Sequence, residues 1–111
     1  MAVSNDFIQY VLDLMSGWGN VQIKRMFGGA ALYQEELAFG MIANDVVYLK
    51  VDETNRYKYL QEGSIQLKPF KNHATVLSFY NVPPDVFENS DELIKWTKES
   101  LAIQKKRNVL Y

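Results

Sequence analysis

The spacing of apolar positions changes several times along this chain, and each change marks an element. Between Asn5 and Ser16 the apolar residues Phe7, Ile8, Val11, Leu12, Leu14 and Met15 fall on one side of a helical wheel. Asn5, Gln9, Asp13 and Ser16 fall on the other, so the spacing predicts an amphipathic helix over 5–16. Ser4 suits its N-cap, Asp6 favours the dipole of the first turn, and Gly17 stands where a C′ glycine belongs. After a turn at Trp18-Gly19-Asn20, the stretch Val21–Arg25 alternates apolar and polar and reads as extended. Three strand-length apolar runs follow, from Arg25 through Tyr33, from Leu37 through Ala43 and from Val46 through Val51. Polar turn residues separate them, Glu35-Glu36 first and Asn44-Asp45 second, which predicts an antiparallel meander.

Beyond the meander, Asp52 can cap a short helix over 53–62 that Gly63 ends, with Tyr57 and Leu60 facing the sheet. Ile65–Lys68 alternates again and predicts a fourth strand, and Thr75–Tyr80, rich in β-branched and aromatic residues, a fifth. Pro83-Pro84 breaks any ladder, and a short turn at Asp85-Val86-Phe87 leads to a last helix capped by Ser90. Leu93, Ile94, Trp96, Thr97, Leu101 and Ile103 form its apolar half. The predicted order is α-β(3)-α-β(2)-α, a two-layer α+β domain with an antiparallel five-stranded sheet, and 1–111 reads as one domain.

Composition narrows the chemistry. The chain contains no cysteine and a single histidine, His73, set in a polar loop. Neither a thiolate site nor a paired-histidine metal site can be assembled from that inventory, and no cofactor is expected. Gly28-Gly29 lacks the third glycine and the Lys-Ser or Lys-Thr of a phosphate cradle, and strand rather than helix follows. The glycine pair reads instead as a bend or bulge where Cβ atoms would clash. No catalytic residue emerges, and the expectation is a protein that is not an enzyme. A small-ligand protein or enzyme with a pocket between sheet and helices stands as an alternative, because carboxylates from different strands can converge in three dimensions.

Charge is nearly balanced, with 12 basic and 13 acidic side chains. Lys105, Lys106 and Arg107 close the last helix, where cations favour the dipole. With Lys68, Lys71, Lys95 and Lys98 they give a second alternative, nucleic-acid binding through the C-terminal helix. The N-terminus lacks a signal-peptide pattern and no apolar run is long enough to span a bilayer, so a cytoplasmic protein without membrane contact is expected. Strand parity places aromatic residues on both sheet faces, and Tyr48, Phe79 and Tyr80 are the candidates for a protein-contact surface.

The motif Arg25-Met26-Phe27-Gly28-Gly29 resembles the N-terminal domain of the TfoX/Sxy family, bacterial regulators of natural competence. Leu32-Tyr33, Phe39-Gly40-Met41-Ile42, Val47–Asp52, Phe79–Pro83 and Leu93–Trp96 continue the resemblance in order. It implies the same α-β(3)-α-β(2)-α arrangement, similar to secretion chaperones, with the motif residues in a structural role. It also implies a regulatory protein–protein interaction module linked to transcription of competence genes, with the cyclic AMP receptor protein as a partner. Self-association as a homodimer is a further expectation for such a fold. Full-length family members carry a second, C-terminal helical domain, whereas this chain ends at Tyr111, so direct nucleic-acid binding is not expected.

Overall fold

A computed structural model describes residues 3–26, 28–67 and 78–109. Helix α1 (Asn5–Leu14) is followed by strands β1 (Gln22–Met26), β2 (Gly29–Gln34), β3 (Leu37–Ala43) and β4 (Val46–Lys50). Helix α2 (Arg56–Gln61), strand β5 (Phe79–Asn81), the short α3 (Pro84–Phe87) and the long α4 (Ser90–Val109) complete the order. The strands form one five-stranded antiparallel sheet in the order β1-β2-β3-β4-β5, so the α+β class expected from the sequence is observed.

The distribution of strands along the chain differs from the predicted order. Four strands, not three, precede α2. The run from Arg25 to Tyr33 is broken into a hairpin, with Met26 opposite Gly29 and only residues 27 and 28 between them. Gly28 has φ +77°, a region open to glycine at no steric cost, and that lets the chain reverse within the apolar run. At Gly29 a Cβ would stand 2.4 Å from the Ile42 carbonyl oxygen, so the close approach of β2 and β3 needs a bare backbone there. The predicted strand at Ile65–Lys68 shrinks to a single bridge between Gln66 and Tyr80, flanked by Leu67 N–H donating to Phe79 O at 2.7 Å. Lys68 and the first part of the predicted fifth strand, residues 75–77, lie outside the described residues.

Both two-residue turns of the meander adopt the left-handed conformation that matches strand twist. Asn44 and Asp45 have φ 52° and 56°, and Glu35 and Glu36 have 53° and 64°. Asn and Asp enter this region readily, whereas glutamates are strained in it. The Asn44-Asp45 turn also anchors α1, because Ser4 N–H donates to Asp45 Oδ1 at 2.9 Å. Ser4 Oγ accepts from Phe7 N–H at 3.1 Å, the cap the sequence predicts. Gly17 is not the helix stop, since the cap falls on Met15 and Gly17 keeps an ordinary φ. Ser90 likewise does not cap α4. Asn89 Oδ1 accepts from Glu92 N–H at 3.1 Å instead, which leaves the Ser90 hydroxyl to donate to Leu14 O at the end of α1, at 2.6 Å.

The inner sheet face and the helices enclose the main core. Leu32, Phe39, Ile42, Leu49 and Tyr80 from the sheet meet Val11 of α1, Met15 just beyond it, Tyr59 of α2, and Leu93, Trp96 and Leu101 of α4. A β-bulge in β3, opposite the step from Leu32 to Tyr33, accompanies the packing of Trp18 edge-on against Phe39 at 5.0 Å. A smaller cluster of Met41, Ala43, Leu67 and Phe79 lies on the opposite face, with Met26 and Tyr48 against it.

Two substitutions test this backbone account. Gly29→Ala is expected to cost about 2 kcal/mol or more, because its methyl group meets backbone rather than a movable side chain. Glu36→Gly is expected to add about 1 kcal/mol by relieving the left-handed strain. Denaturant midpoints of the two variants should move in opposite directions from that of the parent.

Candidate functional site

The motif residues serve the fold in different ways. Arg25 reaches across the helix-side face and donates from Nη2 to Asn5 Oδ1, which holds the first turn of α1 against β1. Met26 packs on the opposite face with the smaller cluster. Gly28 and Gly29 provide the turn and the close approach described above, and Phe27 lies outside the described residues.

The structure separates the three aromatic residues chosen as a contact surface. Tyr48 pairs with Met41 across β3–β4 and is half-buried against the outer cluster. Phe79, opposite Lys50, belongs to that same cluster and is buried. Tyr80 is the correction: it turns inward, is buried in the main core, and its ring lies 6.0 Å from that of Tyr59. Adjacent strand residues point to opposite faces, so Phe79 and Tyr80 cannot share a surface.

Residues passed over by the sequence pattern are the exposed ones. Tyr57, Leu60 and Ile65 are 63%, 55% and 70% exposed, although the helical pattern placed Tyr57 and Leu60 against the sheet. Tyr59 occupies that inward position, fully buried with its ring 4.8 Å from Trp96. Its hydroxyl has no hydrogen-bond partner among the described residues, and burial pushes its pKa well above the usual tyrosine range, against an opposing effect of the nearby Ser100 hydroxyl. Once Tyr59 takes the inner side of a helix of only six residues, Tyr57 and Leu60 are left outside. The helix is held in this rotation by Lys58, whose ammonium lies 2.5 Å from Glu99 and 4.2 Å from the Trp96 ring.

The basic run at the end of α4 is split. Lys105 pairs with Glu35 of the β2–β3 turn at 2.7 Å. Lys106 and Arg107 instead line a cavity of about 380 Å³ with Lys50 and Asp52 at the end of β4 and with Glu53 and Arg56 at the start of α2. Ser100 Oγ donates to Lys50 O at 2.8 Å and fastens α4 to this end of the sheet. Lys50 itself is only 6% exposed, with its ammonium 5.4 Å from the Phe79 ring centroid. Burial first, and then the Arg107 guanidinium, push its pKa below the usual lysine value, with Asp52 opposing them. Asp52 accepts from Thr54 N–H at 2.8 Å, and although burial opposes it, those hydrogen bonds and the nearby Lys106 and Arg56 charges hold its carboxyl below the usual range.

His73 and Lys71 lie outside the described residues, and among the described residues no three metal-ligating side chains converge. No helix of the described residues is long and apolar enough to cross a membrane.

The sequence from residue 13 to residue 103 matches the family model of the TfoX N-terminal domain. The chain belongs to this family. Comparison with curated proteins gives no match. In this TfoX N-terminal domain the motif glycines lie at the β1–β2 turn and at the close approach of β2 to β3. The Leu49–Asp52 segment does more than continue a strand, since it carries Lys50 to the cavity and Asp52 to the start of α2. Strand alternation alone signals Lys50 as an outward residue; the Phe79 ring that its ammonium lies over is far along the chain.

The buried lysine makes stability depend on pH in a defined direction. Unfolded, Lys50 keeps its proton up to about pH 10.5, while in the folded domain it releases the proton earlier. The unfolded state therefore binds more protons in the window just below that pH, and the Lys50 contribution to stability improves as pH rises through it. Lys50→Met is expected to raise the melting temperature at neutral pH, with the gain shrinking toward pH 10.5, as thermal melts across that range would show.

Proposed function

We propose that this domain is a regulatory protein–protein interaction module that acts in transcriptional control of the competence type, in the cytoplasm and without catalysis of its own. The observation that carries this reading is the exposure of Tyr57, Leu60 and Ile65 on and just after α2. Three large apolar side chains in so short a stretch weaken solubility unless a partner covers them. Contact surfaces favour such anchors, and a small number of them supply most of the binding energy. Membership of the TfoX N-terminal family supports a regulatory role, and the cyclic AMP receptor protein is the first partner to test. Tyr48 on the outer sheet face is a secondary contact in this reading, and pairing of two copies through that face or the sheet edge accompanies it.

The test is binding of the purified cyclic AMP receptor protein to the parent domain and to Leu60→Glu and Ile65→Glu. Each charge substitution is expected to weaken the complex by about 2 kcal/mol, roughly 30-fold, while the melting temperature stays within a degree or two of the parent. Equal binding by parent and variants removes the α2 surface from the account, and no binding by the parent removes that partner.

A further inference from the structure

We propose that the cavity at the end of β4 binds a small phosphorylated ligand through its phosphate monoester dianion. This goes beyond the protein-contact reading and does not rest on it. Lys50, Arg56, Lys106 and Arg107 reach the cavity from three elements, β4, α2 and α4. Asp52 and Glu53 line it too, so among the described lining residues four positive charges face two negative ones, a net excess of two. A phosphate monoester carries about −1.5 to −2 at neutral pH, so one such group balances the site without surplus.

Lys50 is the residue that decides between a site and a solvated charged surface. Lysines this deeply buried are rare without a carboxylate partner, and among the described residues none forms an ion pair with Lys50. Its depressed proton affinity, caused by burial first and by the Arg107 guanidinium second, agrees with an ammonium withdrawn from water beside another cation. Asp52 accepts on Oδ1 from Thr54, whose N–H lies at 2.8 Å and hydroxyl at 2.5 Å, and it acts on Lys50 only at a distance, without an ion pair between them. Such a cation costs stability in the free domain, which is how binding sites differ from structural ion pairs. Arg56 and Arg107 add planar donor forks suited to phosphate oxygens. The arrangement is concave and local, with a volume suited to a small molecule. A duplex would instead need basic side chains along an extended face, and Lys105 is drawn away from the cavity to Glu35.

Calorimetric titration of the whole chain decides the matter, with inorganic phosphate, a pentose phosphate and a nucleoside monophosphate as probes. The free pentose, the free nucleoside and a short DNA duplex are titrated alongside. The phosphate esters are expected to bind and the unphosphorylated sugars are not; the stronger ester identifies whether sugar or base adds contacts. Lys50→Met and Arg107→Gln should each weaken the ester by about tenfold or more, the size of one lost charge-assisted hydrogen bond, while Lys105→Gln leaves it unchanged. Melting temperatures of the unliganded variants at or above the parent value show that folding is intact; Arg107→Gln, on an exposed side chain, keeps the test valid if Lys50→Met folds poorly. Failure of every ester to bind the parent overturns the proposal, as does equal affinity in both variants. Duplex binding that exceeds ester binding and falls with Lys105→Gln also overturns it, in favour of a nucleic-acid surface. A negative result with the α2 variants leaves these outcomes untouched.

Discussion

The inner face of the sheet must be kept dry, and every other feature of this domain follows from how that is done. Leu32, Ile42 and Leu49 stand on neighbouring strands and would be exposed without a cover. Helix α4 supplies most of that cover through Leu93, Trp96 and Leu101, with Thr97 and Ser100 on the same buried stripe. Each large side chain removed from water contributes about 1.5–3 kcal/mol, so this contact dominates any single hydrogen bond or ion pair. The two buried hydroxyls on the stripe both donate to backbone carbonyls, Thr97 to Ile94 O within the helix and Ser100 to Lys50 O across on the sheet. The second of these bonds fixes α4 lengthwise as well as sideways.

Fixing α4 in this way determines where its charged end arrives. Ser100 sits over the end of β4, and the next two turns carry Lys106 and Arg107 past the sheet to the start of α2. Cations from three elements converge there because the end of a strand, the start of one helix and the end of another border one cavity, not because the chain contains a basic motif. The core contact thereby creates the electrostatic feature. Lys50 shows the tension most clearly: its backbone carbonyl helps hold the core together, while its side chain is desolvated beside other positive charges.

A similar displacement accounts for the apolar surface of α2. The helix is short, and Tyr59 fills the inward position against Tyr80 and Trp96. Lys58 and Asn55 then meet Glu99, which locks the rotation. Tyr57 and Leu60 are turned outward by that lock, and Ile65, two residues after Gly63 (φ +77°) ends the helix, is exposed as well. The domain is consequently built with apolar residues it does not use, next to a turn region that also borders the charged cavity.

The elements with a strong local period were legible without coordinates. Helix α1, its Ser4 cap, the Asn44-Asp45 turn, the stop at Gly63 and the apolar half of α4 all rest on interactions within a few residues. The α+β class was legible too, because alternation and turn chemistry are local properties, whereas the total of five strands agrees only because one predicted run splits in two and the run at 65–68 falls to a single bridge. The full reversal between Met26 and Gly29 was hidden, since a glycine pair inside an apolar run fits a bend or bulge as well as a hairpin turn. Which of Tyr57, Tyr59 and Leu60 faces inward was equally hidden, because a six-residue helix has too few positions to define a stripe. Sequence alone therefore determined the fold class, the strongly periodic elements and some of their local stops and caps, Ser4, Asn44-Asp45 and Gly63 among them. Tertiary structure decided the surfaces, namely the inward turn of Tyr80, the division of the Lys105–Arg107 run and the burial of Lys50. The physical reason is range: periodicity and capping act over a turn or two, whereas burial and charge convergence depend on residues fifty positions apart, such as Lys50 and Ser100.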